Sequence, residues 1–496
     1  MYHQKYDGRL CGLGKTTEQH TAINNSTDKF LVSSPTKALN KEQNDGINDS
    51  LVIDSDSIKW YCNVKHELEQ SMSISQQRSI VVTHAALPRL LENAFSSAWK
   101  ITSNRHLIID ESLDQFCVKE VSYNLSYEVA GLLLSLLSFE ETSLSPELLE
   151  IIPSNEQRLR EWSNGATGCA VLTKASPLKT IARDVLNPMY HTLISKTTKK
   201  SFIDKSANER TAQLSFVSIL KPEALDNFKS VTNLSALFPM TEYAQIMLAQ
   251  GVEFEDITPM HSPSDYPDSD RVHLHYYTEN NWTSELRTKK DDKNKTNIDK
   301  IVAHVKSVVG DNPFIFNAHT EDRKTIERIN DAELVTETHG RNDLRDYTKA
   351  AFLGSRNITP QLAEVVKHLG IDRIDMDMAR TVLAGYQFFM RTDLRNRGSK
   401  NRVDLFCCDR RMVDFMLRMF PDAHVEIHNV NLQITKLDDL RVNNGGSRTG
   451  SGRKQQYPEE WPEAAKTARR RYMAGAEAPL SEKEWYEKSK YSAQRM

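Results

Sequence analysis

Two short stretches carry residues of the types and order that phosphoryl transfer needs. The first is Cys11-Gly12-Leu13-Gly14-Lys15-Thr16-Thr17. Glycines let a backbone turn tightly enough for its N–H groups to converge on phosphate oxygens. Gly12, Leu13, Gly14 and Thr17 would line that cradle, Lys15 would reach the outer phosphates, and the Thr16 hydroxyl would ligate Mg²⁺. The full pattern calls for Gly or Ala five residues before Gly14, where this chain has Arg9. The second stretch is Arg105-His106-Leu107-Ile108-Ile109-Asp110-Glu111-Ser112. Its apolar run reads as a strand buried on both faces, and the C-terminal end of such a strand is where α/β sheets bind ligands. Asp110 there would hold Mg²⁺, and Glu111 would orient and polarise the attacking water. Alone, the loop could be a glycine-rich turn with a surface lysine, and the acids could cap an ordinary strand. Their order and separation make them one candidate site for a nucleoside triphosphate.

A third group lies far downstream. Gln387, Arg391 and Arg395 are spaced by four and are assigned to a long helix read over Ile374 to Thr392. That spacing puts them on one face, where they suit a γ-phosphate approached from a second domain. A basic face turned to solvent is the alternative. Two strand ends, Ser34-Pro35-Thr36 followed by the cation Lys37, and Thr83-His84, can hold a nucleic-acid phosphate, with solvated loops as the alternative.

These residues need a frame. Strand–helix alternation through Asp110 predicts a doubly wound parallel sheet. Few residues precede the phosphate loop, so the strand feeding it is expected as a stub over Tyr6 to Leu10, at a truncated start or an incomplete sheet edge. Thr17 to Asn24 is the helix whose N-terminus faces phosphate. Lys29 to Val32 and Arg78 to Val82 are strands, Asn40 to Ser57 is a polar loop, and Trp60 to Gln70 is a helix. The pattern changes over about 121–227, where Tyr123 to Leu137, Ser145 to Trp162 and Ile181 to Ser195 read as amphipathic helices, giving a helical insertion. Sheet character returns at Ser230 to Phe238, and Asp256 to Asp270 reads as a linker. The second half alternates again, with strands at Val272 to Tyr277, Pro313 to His319, Leu334 onward, Ala350 to Gly354 and Val403 to Cys408, and a helix at Asn297 to Val309. The fold class is therefore α/β: lobe one over 1–255, lobe two over 271–440, and a flexible basic tail with short helices over 441–496.

Composition narrows the function. A formal net charge of -3 over 496 residues excludes a globally basic nucleic-acid coat, so any basic groove must be local. The six cysteines show no C-x-x-C pair or zinc spacing, and reduced thiols fit a cytoplasmic protein. No signal peptide opens the chain, and the longest apolar stretch, Val129 to Phe139, is too short to span a bilayer.

Taken together, the motifs resemble the superfamily 2 helicase core, the DEAD/DEAH-like group, and most closely the forms carried by phages and mobile elements. Gly12 to Thr16 is similar to motif I, Ser34-Pro35-Thr36 and Thr83-His84 to motifs Ia and Ib, and Asp110-Glu111-Ser112 to motif II. Leu234-Ser235-Ala236 resembles motif III, Phe314 to His319 motif IV, His339-Gly340-Arg341-Asn342 with Asp346 motif V, and Gln387 with Arg391 and Arg395 motif VI. The chain departs at Ser112, where His or Asp is common, and in the four-residue spacing of its arginines, which is usually three. An adenine-reading glutamine motif upstream of the loop is absent from this sequence.

The resemblance implies two RecA-like lobes with ATP and Mg²⁺ bound between them and nucleic acid crossing both. It implies catalytic roles for Glu111, Gln387, Arg391 and Arg395, and a grip on the polymer backbone at Ser34-Pro35-Thr36, Thr83-His84 and His339-Gly340. DNA is expected ahead of RNA, replication or recombination proteins are the expected partners, and no membrane is involved. Two alternatives stay open. One is a viral DNA-packaging, terminase-like ATPase, whose nuclease carboxylates would come from Asp372, Asp375 and Asp377. The other is a degenerate nucleotide-binding scaffold, which Arg9 favours.

Overall fold

The apolar runs of the N-terminal half pair side by side into one parallel sheet. The computed structural model of the chain describes residues 2–53, 77–88, 91, 104–163, 176–260, 262–263, 265–319, 321–322, 332–334 and 343–434. Its strands are β1 (Tyr2–Tyr6), β2 (Lys29–Ser34), β3 (Ser50–Ile53), β4 (Ser79–Thr83), β5 (Arg105–Asp110), β6 (Val118–Ser126), β7 (Leu137–Thr142), β8 (Ser145–Pro153), β9 (Tyr190–Ser195), β10 (Thr211–Leu220), β11 (Ser230–Leu234) and β12 (Val252–Asp256) in lobe one. Lobe two adds β13 (Val272–Tyr276), β14 (Phe314–Asn317), β15 (Ala332–Leu334), β16 (Lys349–Phe352), β17 (Val403–Cys407) and β18 (His424–Ile427).

The first sheet has the order β12-β1-β11-β5-β2-β4-β3, and every pairing in it is parallel. Its central strands are apolar on both faces because both faces are covered. Leu31, Ile80, Val82, Leu107 and Ile109 enter one core. Phe30, Val32, Val81 and Ile108 enter another, against Ile23 of the helix Lys15–Asn25. The strand feeding the phosphate loop differs from the expected stub. β1 runs over Tyr2–Tyr6, ends before the loop, and lies inside the sheet between β11 and β12.

The second sheet, order β15-β14-β16-β17-β13-β18, is also parallel throughout. The helix Asn297–Val309 covers one face, burying Ile301, Val302 and Val305 with Phe314, Phe316 and Phe406. The chain is thus α/β with two tandem parallel-sheet lobes. They share a core in which Leu10 and Ala236 of the first lobe pack with Leu383, Tyr386 and Met390 of the second.

The insertion corrects the sequence reading. It does contain helices, at Tyr127–Leu134, Glu156–Ser163, Ser176–Val185 and Lys196–Asn208. They lie on a five-stranded antiparallel sheet, order β6-β10-β9-β8-β7, so the insertion is mixed rather than helical. The cause is periodicity. In β10, Ala212 and Leu214 are buried while Thr211 and Gln213 are exposed, a two-residue alternation that a helical pattern masks over short windows. The stretch expected as a polar loop after Asn40 is also ordered. Thr36 accepts a hydrogen bond from the Leu39 N–H and starts the helix Lys37–Gly46, which leads into β3. The helix expected at Trp60 to Gln70 and the tail over 441–496 lie outside the described residues. Among the described residues no helix is long and apolar enough to cross a membrane.

One ion cluster ties the insertion and both lobes together. Arg380 of lobe two donates to Glu242 Oε2 at 2.9 Å and Oε1 at 2.5 Å, and to Glu120 of β6. Removing one partner of a buried pair leaves an uncompensated charge and costs about 3 kcal/mol or more. Arg380→Ala should therefore lower stability by about 3 kcal/mol in urea unfolding. The double variant Arg380→Met/Glu242→Leu should recover part of the loss, and a silent single variant would remove this cluster from the stability of the fold.

Candidate nucleotide site

β1 delivers the chain into the phosphate loop, and the loop's shape is set by two glycines. Gly12 and Gly14 have φ of +76° and +81°, a left-handed region that a side chain would strain. A Cβ on Gly14 would meet no described atom within 4 Å, so the rim of the loop is open space of the kind a phosphate needs. Gly12, Gly14 and Thr17 are exposed, Leu13 is half-buried, and Lys15 and Thr16 open the helix Lys15–Asn25. The Lys15 ammonium donates to the backbone carbonyls of Arg9 at 2.6 Å and Leu10 at 3.1 Å. Burial pulls its pKa down, against the pull of nearby anions.

Arg9 has a definite place. Its guanidinium donates to Asp7 Oδ2 at 2.6 Å and to Glu18 Oε1 at 2.7 Å, bridging the start of the loop to the first helix. These two carboxylates hold it firmly charged, Glu18 contributing most. The residue that breaks the sequence pattern is therefore an internal strut of the loop, and it stands clear of the open rim at Gly14.

Register then brings the acids to the loop. Leu234 at the end of β11 pairs with Asp110 at the end of β5, and β11 pairs on its other edge with β1. Thr16 Oγ1 donates to Asp110 Oδ1 at 3.4 Å, so the two expected Mg²⁺ ligands face each other. Gln43 donates to Asp110 Oδ2 at 2.5 Å. Burial pushes the Asp110 carboxyl up to about 7, with Glu111 adding to the rise and Lys15, Thr16 and Gln43 opposing it. Such a carboxyl gains most from a divalent cation. Lys15, Thr16, Asp110 and the open loop therefore fit a magnesium-bound triphosphate.

Glu111 sits at the β5 exit with φ of +68°, an unusual backbone for a non-glycine residue. Its N–H donates to Leu234 O at 3.1 Å, which holds the turn. Its carboxylate receives Arg391 Nη2 at 2.7 Å, and the Arg391 side chain is only 4% exposed. Ser112, next along, donates to Asp114 Oδ1 at 2.6 Å, and that oxygen also accepts the Tyr243 N–H at the start of the helix Glu242–Ala249.

The arginine segment corrects the expected long helix. α-Helix over Arg373–Asp377 passes through a π-helical turn at Met378–Leu383 and resumes over Ala384–Phe389, where it ends. Thr392 breaks it with extended backbone, and its hydroxyl accepts the Leu394 N–H. Gln387 is buried on the helix, Arg391 lies in the turn after it, and Arg395 lies in a 3₁₀ turn, Asp393–Arg395. Arg395 does not share the Gln387 helix face. It still reaches the loop, since a Cβ on Gly12 would lie 4.0 Å from Arg395 Cγ. Burial, then the neighbouring Arg391 charge, lower its pKa.

Two tyrosines complete the contact between lobes, and the motif pattern contained no sign of them. Tyr386 OH accepts the Cys11 N–H at 3.1 Å. Tyr266 OH donates to Cys11 O at 3.0 Å and lies 2.8 Å from Tyr386 OH. Gln43 also escapes the sequence reading, which takes Asn40 to Ser57 as a loop. Leu39 and Gln43, both buried and four apart on one face, were the available signal.

The residues expected to grip nucleic acid are placed differently from one another. Ser34 is fully buried and hydrogen-bonds the Asn40 amide, and His84 is buried with Nε2 3.3 Å from Ser33 O. His84 thereby joins the end of β4 to β2, and Ser34 joins β2 to the helix Lys37–Gly46. Pro35, Thr36 and Thr83 stay partly exposed. His339 and Gly340 lie outside the described residues. Two of the three carboxylates of the nuclease alternative serve backbone instead: Asp372 accepts the Ile374 N–H and Asp377 the Ile358 N–H, each at 2.8 Å. They form no metal-binding group among the described residues.

The sequence matches no protein-family model and no curated protein. Solved structures resemble the chain. S. tokodaii Xpd4 is 12% identical, with a TM-score of 0.47 over 86% of this chain and 96% of that one. An XPD helicase is 9% identical, with a TM-score of 0.48 over 86% and 96%. S. cerevisiae Dbp5 bound to RNA and ADP BeF3 is 9% identical, with a TM-score of 0.36 over 89% and 88%.

The Asp110 environment makes a pH prediction. A carboxyl whose folded pKa lies above its unfolded value favours folding in its neutral form, so that contribution is complete at low pH and is lost as pH rises towards about 7. Asp110→Asn should therefore raise the Tm of the ligand-free protein at pH 8 and have a much smaller effect at pH 4. An equal effect at both would mean that the carboxyl is not strained by burial.

Proposed function

We propose that this chain is an ATP-dependent nucleic-acid motor, a helicase or translocase that hydrolyses ATP between its two lobes to move along or unwind DNA. The observation that carries the reading is the 2.7 Å contact from Arg391 of lobe two to Glu111 of lobe one, beside an open phosphate loop. A site built only to bind nucleotide has no need of an arginine brought from a second domain onto the carboxylate that follows the Mg²⁺ ligand.

In this reading the loop amides and Lys15 hold the triphosphate. Thr16 and Asp110 would hold Mg²⁺, which would supply positive charge for the outer phosphates. Lys15 exchanges its two backbone carbonyls for phosphate oxygens. Arg391 leaves Glu111 for the transferring phosphoryl group, and Glu111, released, takes up the proton side of the attacking water. Arg395, next to Gly12, adds a second positive charge. Gln387, buried on the helix, orients the turn that carries both arginines. Hydrolysis then alters the contact between lobes, and the partly exposed strand ends at Pro35, Thr36 and Thr83 transmit that change to the polymer backbone. The phage or mobile-element setting and the preference for DNA belong to this proposal through the motif resemblance.

ATP hydrolysis, measured alone and with single- or double-stranded DNA or RNA, tests the reading. Stimulated turnover should appear in the wild type and vanish in Lys15→Ala. Glu111→Gln should bind Mg-ATP and barely hydrolyse it, and Arg391→Ala should lower turnover by about 10³-fold or more, the usual range for an arginine finger, with little loss of binding. Absence of turnover in a folded wild type would leave only a nucleotide-binding scaffold. Divalent-dependent DNA cleavage would revive the packaging alternative.

A further inference from the structure

Away from the nucleotide site, five of the fifteen histidines gather at one margin of the second sheet. β18 is the edge strand there, and its parallel register with β13 sets His275 opposite Glu426 and His273 opposite His424. The chain continues into His428, whose N–H donates to Tyr276 O at 2.8 Å. His304, from the helix Asn297–Val309, lies against His428 with ring centroids 4.1 Å apart. Its Nδ1 is 3.1 Å from Tyr277 OH.

Three of these side chains converge on one point. His275 Nδ1 is 2.9 Å from His428 Nε2 and 3.8 Å from Glu426 Oε2. The His275 ring is oriented from behind, because its Nε2 faces Asp404 Oδ1 at 3.1 Å. That carboxylate accepts the Nε2–H, which leaves Nδ1 with a lone pair aimed at the cluster. Glu426 Oε1, the other carboxylate oxygen, lies 3.6 Å from His428 Nδ1, and its charge favours the proton on Nδ1, which leaves Nε2 as a second lone pair. Ligand atoms about 2.0–2.1 Å from a tetrahedral ion stand about 3.3 Å apart. The observed 2.9 Å and 3.8 Å straddle that spacing.

We propose that His275, His428 and Glu426 bind one divalent transition-metal ion of the Zn²⁺ class and that the ion fastens the edge strand β18 to β13. Two imidazoles and one carboxylate are a donor set for a borderline ion and a poor one for Mg²⁺ or Ca²⁺, which prefer all-oxygen shells. Asp404 is the positioning residue that fixes the His275 tautomer. The fourth coordination position is left to solvent or to His304. Among the described residues this is the one group of three or more such side chains able to hold a metal ion. It is carried by sheet two alone, so it does not depend on what the phosphate loop binds. A clamp here has a mechanical purpose, since all four β18 side chains are exposed and the strand has sheet on only one side.

Co²⁺ titration of the full chain, stripped with chelator and free of nucleotide, tests this. A tetrahedral nitrogen-rich site gives intense visible bands, whereas oxygen sites such as Thr16 with Asp110 give weak ones. One equivalent should bind with intense absorption, be displaced by Zn²⁺, and be indifferent to millimolar Mg²⁺. Glu426→Gln changes an exposed side chain and should weaken binding about tenfold or more, and His428→Ala should abolish the bands. Should His428→Ala fail to fold, Glu426→Gln decides alone. Absence of intense bands in the wild type, or bands unchanged in Glu426→Gln, would overturn the site and leave a hydrogen-bonded histidine pair.

Discussion

The structure turns on one guanidinium–carboxylate contact, Arg391 to Glu111, made across the two sheets. Both charges are largely withdrawn from water, so separating them without a substitute gives up a short, partly desolvated ion pair. Only another anion can take Arg391 from Glu111 at low cost, and the open loop next to it has the geometry to supply one. The same logic recurs around the site. Lys15 rests on two backbone carbonyls, and the Asp110 carboxyl is kept near neutrality by burial. Lys15, Asp110 and Arg391 thus each hold a partner that phosphate or a cation could replace. This lets a polar, partly buried site exist before anything binds.

The loop is held from both lobes. Within lobe one, Arg9 braces it between Asp7 and Glu18, and the Leu237 N–H donates to Gly8 O at 3.0 Å. From lobe two Tyr386 accepts the N–H of Cys11, and from the segment joining the lobes Tyr266 donates to its carbonyl. Tyr386 lies directly after the π-helical turn, on the same segment that ends in Arg391. A shift of that segment must therefore move the arginine and pull on Cys11 together. In the proposed motor, this one piece of chain would suffice to couple nucleotide to lobe movement.

Parallel strands buried on both faces write themselves as plain apolar runs, which is why β2, β4, β5, β11, β13 and β17 were legible. The phosphate loop and the Asp110-Glu111 pair were legible because their chemistry is local. What escaped needed contacts between distant residues. Gln43 meets Asp110 across 67 positions of sequence. Ser34 and His84 look like surface ligands until β2 and β4 pair and bury them. The break after Phe389 depends on one threonine whose hydroxyl serves the next turn, and no spacing rule reveals that. The insertion failed differently, since its antiparallel strands carry one buried face and short alternations that a helical period can imitate. His275, Glu426 and His428 show no metal-ligand spacing along the chain, because only the β13–β18 register unites them.

The left-handed backbone at Glu111 then has a physical reason. A non-glycine residue there costs about 1–2 kcal/mol, and an ordinary strand exit would avoid it. Successive side chains of a strand point to opposite faces, so Asp110 and Glu111 on regular β backbone would diverge. The turn at Glu111, pinned by its N–H to Leu234 O, is what lets Asp110 face Thr16 while its neighbour meets Arg391. Two adjacent carboxylates thereby acquire different environments, one sunk beside the phosphate loop and one facing the second lobe's arginine. Glycine in place of Glu111 would relieve the strain, but the carboxylate that Arg391 holds would be lost with it.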